Sequence, residues 1–161
     1  MDTPTTKRAD ALNFLKSHNT GVLSTISAEG AARSRLVYYV PGEDFSIYFL
    51  TLVGTRKVED IQSHPAAAFC VANDAIPQSV QIEGSVEDVS DVPVSDAIMH
   101  AIFEQLVSNA KYHAPLARFD LATVKFFRVV PTWIRWGDFT SGNHTDEVLS
   151  EIVPPKRLNS M

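Results

Sequence analysis

A chain of 161 residues, 45% hydrophobic and 20% charged, is long enough to bury one core and too apolar to stay disordered throughout. Its net charge of -5 argues against a duplex-binding surface, which needs clustered Lys and Arg, yet leaves room for one small basic pocket. Its one cysteine, Cys70, excludes an intrachain disulfide, no window holds the ~18 apolar residues of a membrane span, and polar Met1–Leu12 lacks the apolar run of a secretory signal, so a soluble cytoplasmic protein is expected.

Thr3-Pro4 reads as an N-cap followed by proline at the first helical position, opening a helix to about His18. Leu12 and Leu15 mark its buried side, and Thr20-Gly21 ends it. Strands are predicted at Gly21–Ile26, Arg33–Val40 and Phe45–Thr51, with turns at Ala28-Glu29-Gly30 and Pro41–Asp44. From Thr55 to Ser63 the period becomes helical, with Val58 and Ile61 inward, until His64-Pro65 stops it. Ala66–Ala72 reads as a buried strand that holds Cys70 as a structural thiol, and Asn73–Pro77 as a loop. Ser79–Val89 is the longest predicted strand. Val80, Ile82 and Val86 share one face, Gln81, Glu83 and Glu87 the other, and Gly84 marks a bulge or a barrel corner. A helix is predicted from Pro93 to about Val107 and an irregular stretch from Ser108 to Arg118. Thr123–Val130 and Trp133–Trp136 read as two strands broken by Pro131, Asp146–Ile152 as a short helix, and 154–161 as a loose tail. The sum is one domain, mainly β with flanking helices, closing as an antiparallel barrel.

The stretch that carries chemistry is Leu50-Thr51-Leu52-Val53-Gly54-Thr55-Arg56-Lys57, a strand end, a loop and a helix start. The first turn of a helix presents unpaired amides and partial positive charge, where acidic residues are the usual choice. Arg56 and Lys57 stand there against the dipole, an arrangement that makes sense if an anion bridges them: a phosphate would gain amides, Thr hydroxyls and two cations together. Taken alone, the tripeptide fits a solvated helix start equally well. On the second strand Arg33, Arg35, Val37 and Tyr39 share one face, and a buried arginine there needs a partner. A phosphate shared with Arg56 would supply one, and a strand-edge arginine in water is the alternative. Gln78, Ser79 and Gln81 could hydrogen-bond a heterocycle or simply form a polar face. Trp133, Trp136 and Phe139 could cover a ligand, form a subunit contact or pack in the core.

In this order and spacing, Gly21–Ile26, Arg35–Tyr39, Tyr48–Thr51 with Thr55-Arg56-Lys57, His64-Pro65 and Val80–Gly84 resemble the pyridoxamine 5'-phosphate oxidase-like FMN-binding split-barrel family, from about Phe14 to Phe139. The resemblance implies a split β-barrel that binds FMN in clefts between the subunits of a homodimer. It implies that Arg35, Arg56 and Lys57 hold the FMN phosphate with Thr51 and Thr55, beside Leu50 at the strand end. The backbone of Arg35, Leu36, Val37 and Tyr38 would lie along the isoalloxazine. Ser79 stands where the family has a flavin-contacting glutamine, with Gln78 or Gln81 as its substitute, and Trp136 falls near a family tryptophan that approaches the flavin from the partner subunit.

The resemblance stops at Thr140–Thr145, where the oxidases carry an Arg-Leu-His type segment for the substrate phosphate. This argues against pyridoxamine phosphate oxidation and for the general-stress-protein type of relative. An FMN-dependent oxidoreductase on an undefined small substrate is therefore expected, with a non-catalytic flavin-binding stress module, or a related barrel for a deazaflavin coenzyme or haem, as alternatives. No metal site is expected, because His18, His64, His100, His113 and His144 are scattered without ligand spacing; His113 is a weak candidate beside the flavin.

Overall fold

The computed structural model describes residues 4–93, 96–108, 121–140 and 148–152. Helix α1 (Pro4–Ser17) precedes strands β1 (Thr20–Ile26), β2 (Ala32–Tyr38), β3 (Val40–Pro41) and β4 (Ile47–Leu52). Helix α2 (Arg56–Ser63) leads into β5 (Ala66–Asn73) and β6 (Gln78–Asp88), and α3 (Asp96–Ser108) precedes β7 (Val124–Asp138) and β8 (Leu149–Ile152). The expected cap at Thr3, the irregular stretch at 109–118 with His113, residues 141–147 and the tail 154–161 lie outside the described residues.

All the pairings are antiparallel, in the order β2-β1-β5-β6-β7-β4-β3, with β8 added to β7. The chain passes from β2 at one end of this sheet to β3 at the other through Tyr39 alone. One residue spans only about 3.3–3.6 Å, so the two ends of the sheet must be neighbours. The sheet is therefore curled into a barrel, split open between β2 and the β3/β4 side. Register fixes which side chains share a face. Arg35, Leu23, Phe69, Ile82 and Ile134 form one row across five strands, pointing inward; Leu36, Val22, Cys70, Gln81 and Arg135 form the adjacent row, pointing out.

The core fills the inside of the curl with Phe45, Ile47, Phe49, Phe69, Phe127 and Ile134. Helix α1 covers one opening with Ala11, Leu12, Phe14 and Leu15, and the buried Tyr39 hydroxyl ties it down by donating to Leu15 C=O at 2.8 Å. A second cluster, Val40, Val89, Ile102 and Phe126, seats α3 on the outside. Gly84 sits at a bulge in the β6/β7 ladder, where a Cβ would lie 2.1 Å from the Val130 carbonyl oxygen, so glycine is the residue that allows the close approach.

Four sequence expectations change. Thr123–Val130 and Trp133–Trp136 are one strand: β7 runs 15 residues through Pro131, longer than the 11 of β6, because Pro131 and Thr132 fall at the same bulge. Asp146–Ile152 does not end as a helix; its last four residues form β8, which takes the β7 edge at Ile134–Gly137 beyond the end of β4. The second strand breaks at Tyr39, where the chain changes sheet edge. Ala66–Ala72 is buried on one face only, and Cys70 is half-buried on the outward row, burial still raising its thiol pKa.

Candidate functional site

The barrel's split is where the charged residues of the sequence motif gather. Beyond β4, Val53 N–H is fixed to Thr123 C=O at 2.9 Å. Gly54 then takes a left-handed conformation (φ 71°) and turns the chain into α2. Thr55 occupies the N-cap with extended backbone (φ -86°, ψ 151°), and its side chain makes no cap hydrogen bond. Its hydroxyl instead lies 3.3 Å from that of Thr51, which is buried. Lys57 folds back and donates from Nζ to Thr51 Oγ1 at 3.2 Å, with its ammonium 6.0 Å from the centre of the Phe49 ring. Burial, and then the charge of Arg35 across the split, lower the Lys57 pKa to about 8. Among the described residues no carboxylate stands within ion-pair distance of this ammonium.

Arg33 and Arg35 share the inward face of β2 with Val37, and their partner is a side chain. Asp60 on α2, 1% exposed, accepts from Arg33 Nη1 at 2.6 Å through Oδ1 and from Arg35 Nη2 at 2.9 Å through Oδ2. Thr25 on β1 completes the cluster: its hydroxyl accepts from Arg35 Nη1 at 2.7 Å and donates to Asp60 Oδ2 at 2.9 Å. Burial alone would raise the Asp60 pKa; the Thr25 hydroxyl, the Arg35 hydrogen bond and the two guanidinium charges outweigh it and hold the carboxyl below its usual range. The strand arginines thus have side-chain partners, Asp60 and Thr25, beside the phosphate shared with Arg56 that the sequence suggested. Arg56 points to solvent and makes no hydrogen bond or ion pair among the described residues.

Asp60 is the residue that sequence reasoning missed. Its signal was legible: in a helix, Asp60 lies three residues after Lys57 and beside Ile61, on the same inward arc. Its partners were not, because Arg33 and Arg35 are 27 and 25 residues away along the chain.

The remaining expected site residues divide between faces. Val37 is buried in the core and Leu50 packs against the second apolar cluster on the outside. Leu36 points out and is 65% exposed. The bond from Tyr39 N–H to Asn19 C=O at 3.1 Å sets the phase of the β1/β2 ladder, so the backbone groups of Ser34 and Leu36 face the open edge of β2. Tyr38 is half-buried at the end of that edge. Ser79 and Gln81 project from the outer side of β6, away from Arg35 and Lys57, and Gln78 is held by Asp138 through a hydrogen bond of 3.1 Å. Trp136 is 4% exposed and packs at 5.3 Å on Phe14. It faces the core, opposite to the outer side that carries Ser79 and Gln81. Trp133 is the outward tryptophan, stacked under Arg135 at 4.7 Å and hydrogen-bonded to Glu151. Among the described residues no cluster of His, Cys, Asp and Glu has the arrangement of a metal site, and no helix is long and apolar enough to cross a membrane.

The family model described as pyridoxamine 5'-phosphate oxidase matches residues 8–135. A pyridoxine/pyridoxamine 5'-phosphate oxidase of Bordetella avium is 35% identical over 83 residues, covering 52% of this chain and 39% of that protein. The match thus spans well under half of the curated relative. Among solved structures, the general stress protein 26 of Bacillus anthracis superposes with a TM-score of 0.58 at 17% identity, over 79% of this chain and 91% of that one. An FAD-binding protein of Mesorhizobium loti gives 0.61 at 18% identity, over 78% and 90%. A haem-binding protein of Mycobacterium smegmatis gives 0.65 at 14% identity, over 95% and 59%. At these identities the structural likeness speaks for the fold, an antiparallel split barrel.

Proposed function

Because this chain belongs to the pyridoxamine 5'-phosphate oxidase family, we propose that it binds FMN, with the phosphate seated in the split of the barrel between β2 and the start of α2. One observation carries the reading. The Lys57 ammonium is half-buried near the Arg35 guanidinium, and among the described residues no carboxylate pairs with it, Asp60 being taken by Arg33 and Arg35. Two desolvated cations side by side are unfavourable unless an anion joins them. A phosphate there would be met by Lys57, by the Arg35 donors that Thr25 and Asp60 leave over, by the Thr51 and Thr55 hydroxyls and by the first-turn amides of α2. Arg56, exposed at the rim, adds long-range attraction.

The open edge of β2 lies next to this mouth, and a planar heterocycle could be hydrogen-bonded along it by the backbone of Ser34 and Leu36. Bound flavin would supply the electron-transfer chemistry; the chain supplies position and electrostatics. The reading extends to an oxidoreductase acting on a small substrate. The reading includes a homodimer, in which Ser79 and Gln81, on the outer face, would reach the ligand of a second copy of the chain.

The absorption spectrum of the purified protein tests the reading. The paired near-ultraviolet and blue bands of an oxidised flavin are expected, on isolation or after adding FMN, with FMN bound more tightly than riboflavin. A protein that takes up no flavin, or that carries a haem spectrum instead, overturns it. Reduction by NADH or NADPH under anaerobic conditions, followed by reoxidation with added acceptors, separates an oxidoreductase from a module that only holds flavin.

A further inference from the structure

We propose that Asp60 is the positioning residue of the anion mouth: it fixes the Arg35 guanidinium so that its remaining donors face the phosphate, and thereby sets the preference for FMN over the unphosphorylated flavin. The inference rests on the flavin reading above and adds a residue to it that the motif did not contain.

The geometry is a closed network of four side chains from three elements. Asp60 extends from α2, Thr25 from β1, and Arg33 and Arg35 from β2. Both carboxylate oxygens are used, Oδ1 by Arg33 and Oδ2 by Arg35 and Thr25 together. The Thr25 hydroxyl holds the second nitrogen of the same guanidinium. Arg35 is thus pinned through Nη1 and Nη2, which fixes the plane of the group, while its other N–H groups stay unused by this network. An arginine on a bare edge strand would rotate among many rotamers, and ordering one such side chain on binding costs conformational entropy.

The charges point the same way. Asp60 offsets the guanidiniums from the buried side and Glu29 lies 4.0 Å from Arg33 on the exposed side, so the cluster tolerates its burial. Lys57, three residues earlier on the same helix, makes no ion pair with Asp60 among the described residues; its hydrogen bond goes to Thr51. The carboxylate therefore spends its charge on the arginines and leaves the ammonium for the ligand. Because Asp60 and Lys57 share α2, the network also fixes the helix start against β2 and its neighbour β1, so that β2 and α2 frame the mouth.

The test is the affinity of FMN and of riboflavin, by quenching of flavin fluorescence, for the wild type, Asp60→Asn, Arg35→Met and the double variant. Asp60→Asn is expected to weaken FMN about tenfold and to leave riboflavin within about twofold; in the Arg35→Met background it is expected to change neither. Thr25→Val should reproduce part of the loss and Thr25→Ser should restore it, which keeps the question decidable if Asp60→Asn does not fold. FMN affinity that is unchanged or tighter in Asp60→Asn, equal losses for both flavins, or additive losses in the double variant would each overturn the role of Asp60 while leaving the phosphate mouth standing. A wild type that does not prefer FMN over riboflavin overturns the mouth itself, and the positioning role with it.

Discussion

Lys57 and Arg56 are neighbours in sequence with unlike surroundings, and the difference can be measured. Lys57 is half-buried against Thr51 and Phe49, whereas Arg56 is exposed. Lys57→Met is expected to weaken FMN binding by about 1.5–3 kcal/mol, the scale of a hydrogen bond to a charged group. Arg56→Ala is expected to weaken it by about 0.2–1 kcal/mol, the scale of an exposed ion pair; equal losses would contradict the assignment. Titration gives an independent check. In the unfolded chain the Lys57 ammonium has its ordinary pKa of 10.5, and in the fold about 8. Between these values the unfolded state holds a proton that the native state lacks, so the contribution of Lys57 to stability rises with pH across this window. Ligand binding has the opposite sign: a phosphate favours the charged amine, so FMN affinity should fall as pH rises past about 8. Riboflavin affinity should not follow, and Lys57→Met should flatten the FMN profile.

The elements depend on features of unequal range. The bulge at Gly84 lets β6 pair with β7 along all of β6, from Gln78 opposite Asp138 to Asp88 opposite Phe127, despite Pro131. A methyl group at Gly84 would press on the Val130 carbonyl. Gly84→Ala is therefore expected to destabilise the fold by about 1–3 kcal/mol, the usual range for forced overpacking, read as a lower urea midpoint with an unchanged slope. An unchanged midpoint would mean that the bulge relaxes at no cost. The segment at β8 shows why local pattern misleads. Val148 and Ile152 stand four residues apart, a helical spacing, and both are buried. The unpaired edge of β7 beyond Val129 decides the outcome, because its backbone groups are satisfied by a strand and not by a helix.

At the scale of the molecule, the curled sheet puts the charged mouth inside the split and an apolar strip outside it. Val22 and Leu36 are 42% and 65% exposed on that strip, next to a groove lined by Ala68, Cys70, Gln81 and Trp133. With Ser79 and Gln81 on the same side, a second copy of the chain is the occupant that would complete the ligand's surroundings. The wild type is expected to sediment as a dimer, and Leu36→Asp to shift it toward monomer and to lower FMN retention. A monomer that binds FMN as tightly as the dimer would remove the second copy from the site.

The sequence by itself determined whatever depends on near neighbours. Alternation placed Arg33, Arg35 and Val37 on one side of a strand, helical period placed Val58 and Ile61 inward, and the two cations at a helix start, where anions belong, suggested an anion site. Only the tertiary structure decided what those side chains meet. Asp60 reaches Arg35 because the sheet curls and lays α2 against β1 and β2, a contact set by strand register and not by spacing along the chain. Register likewise turned Trp136 into the core and Trp133 outward, since a shift of one residue in pairing exchanges the two faces of every strand.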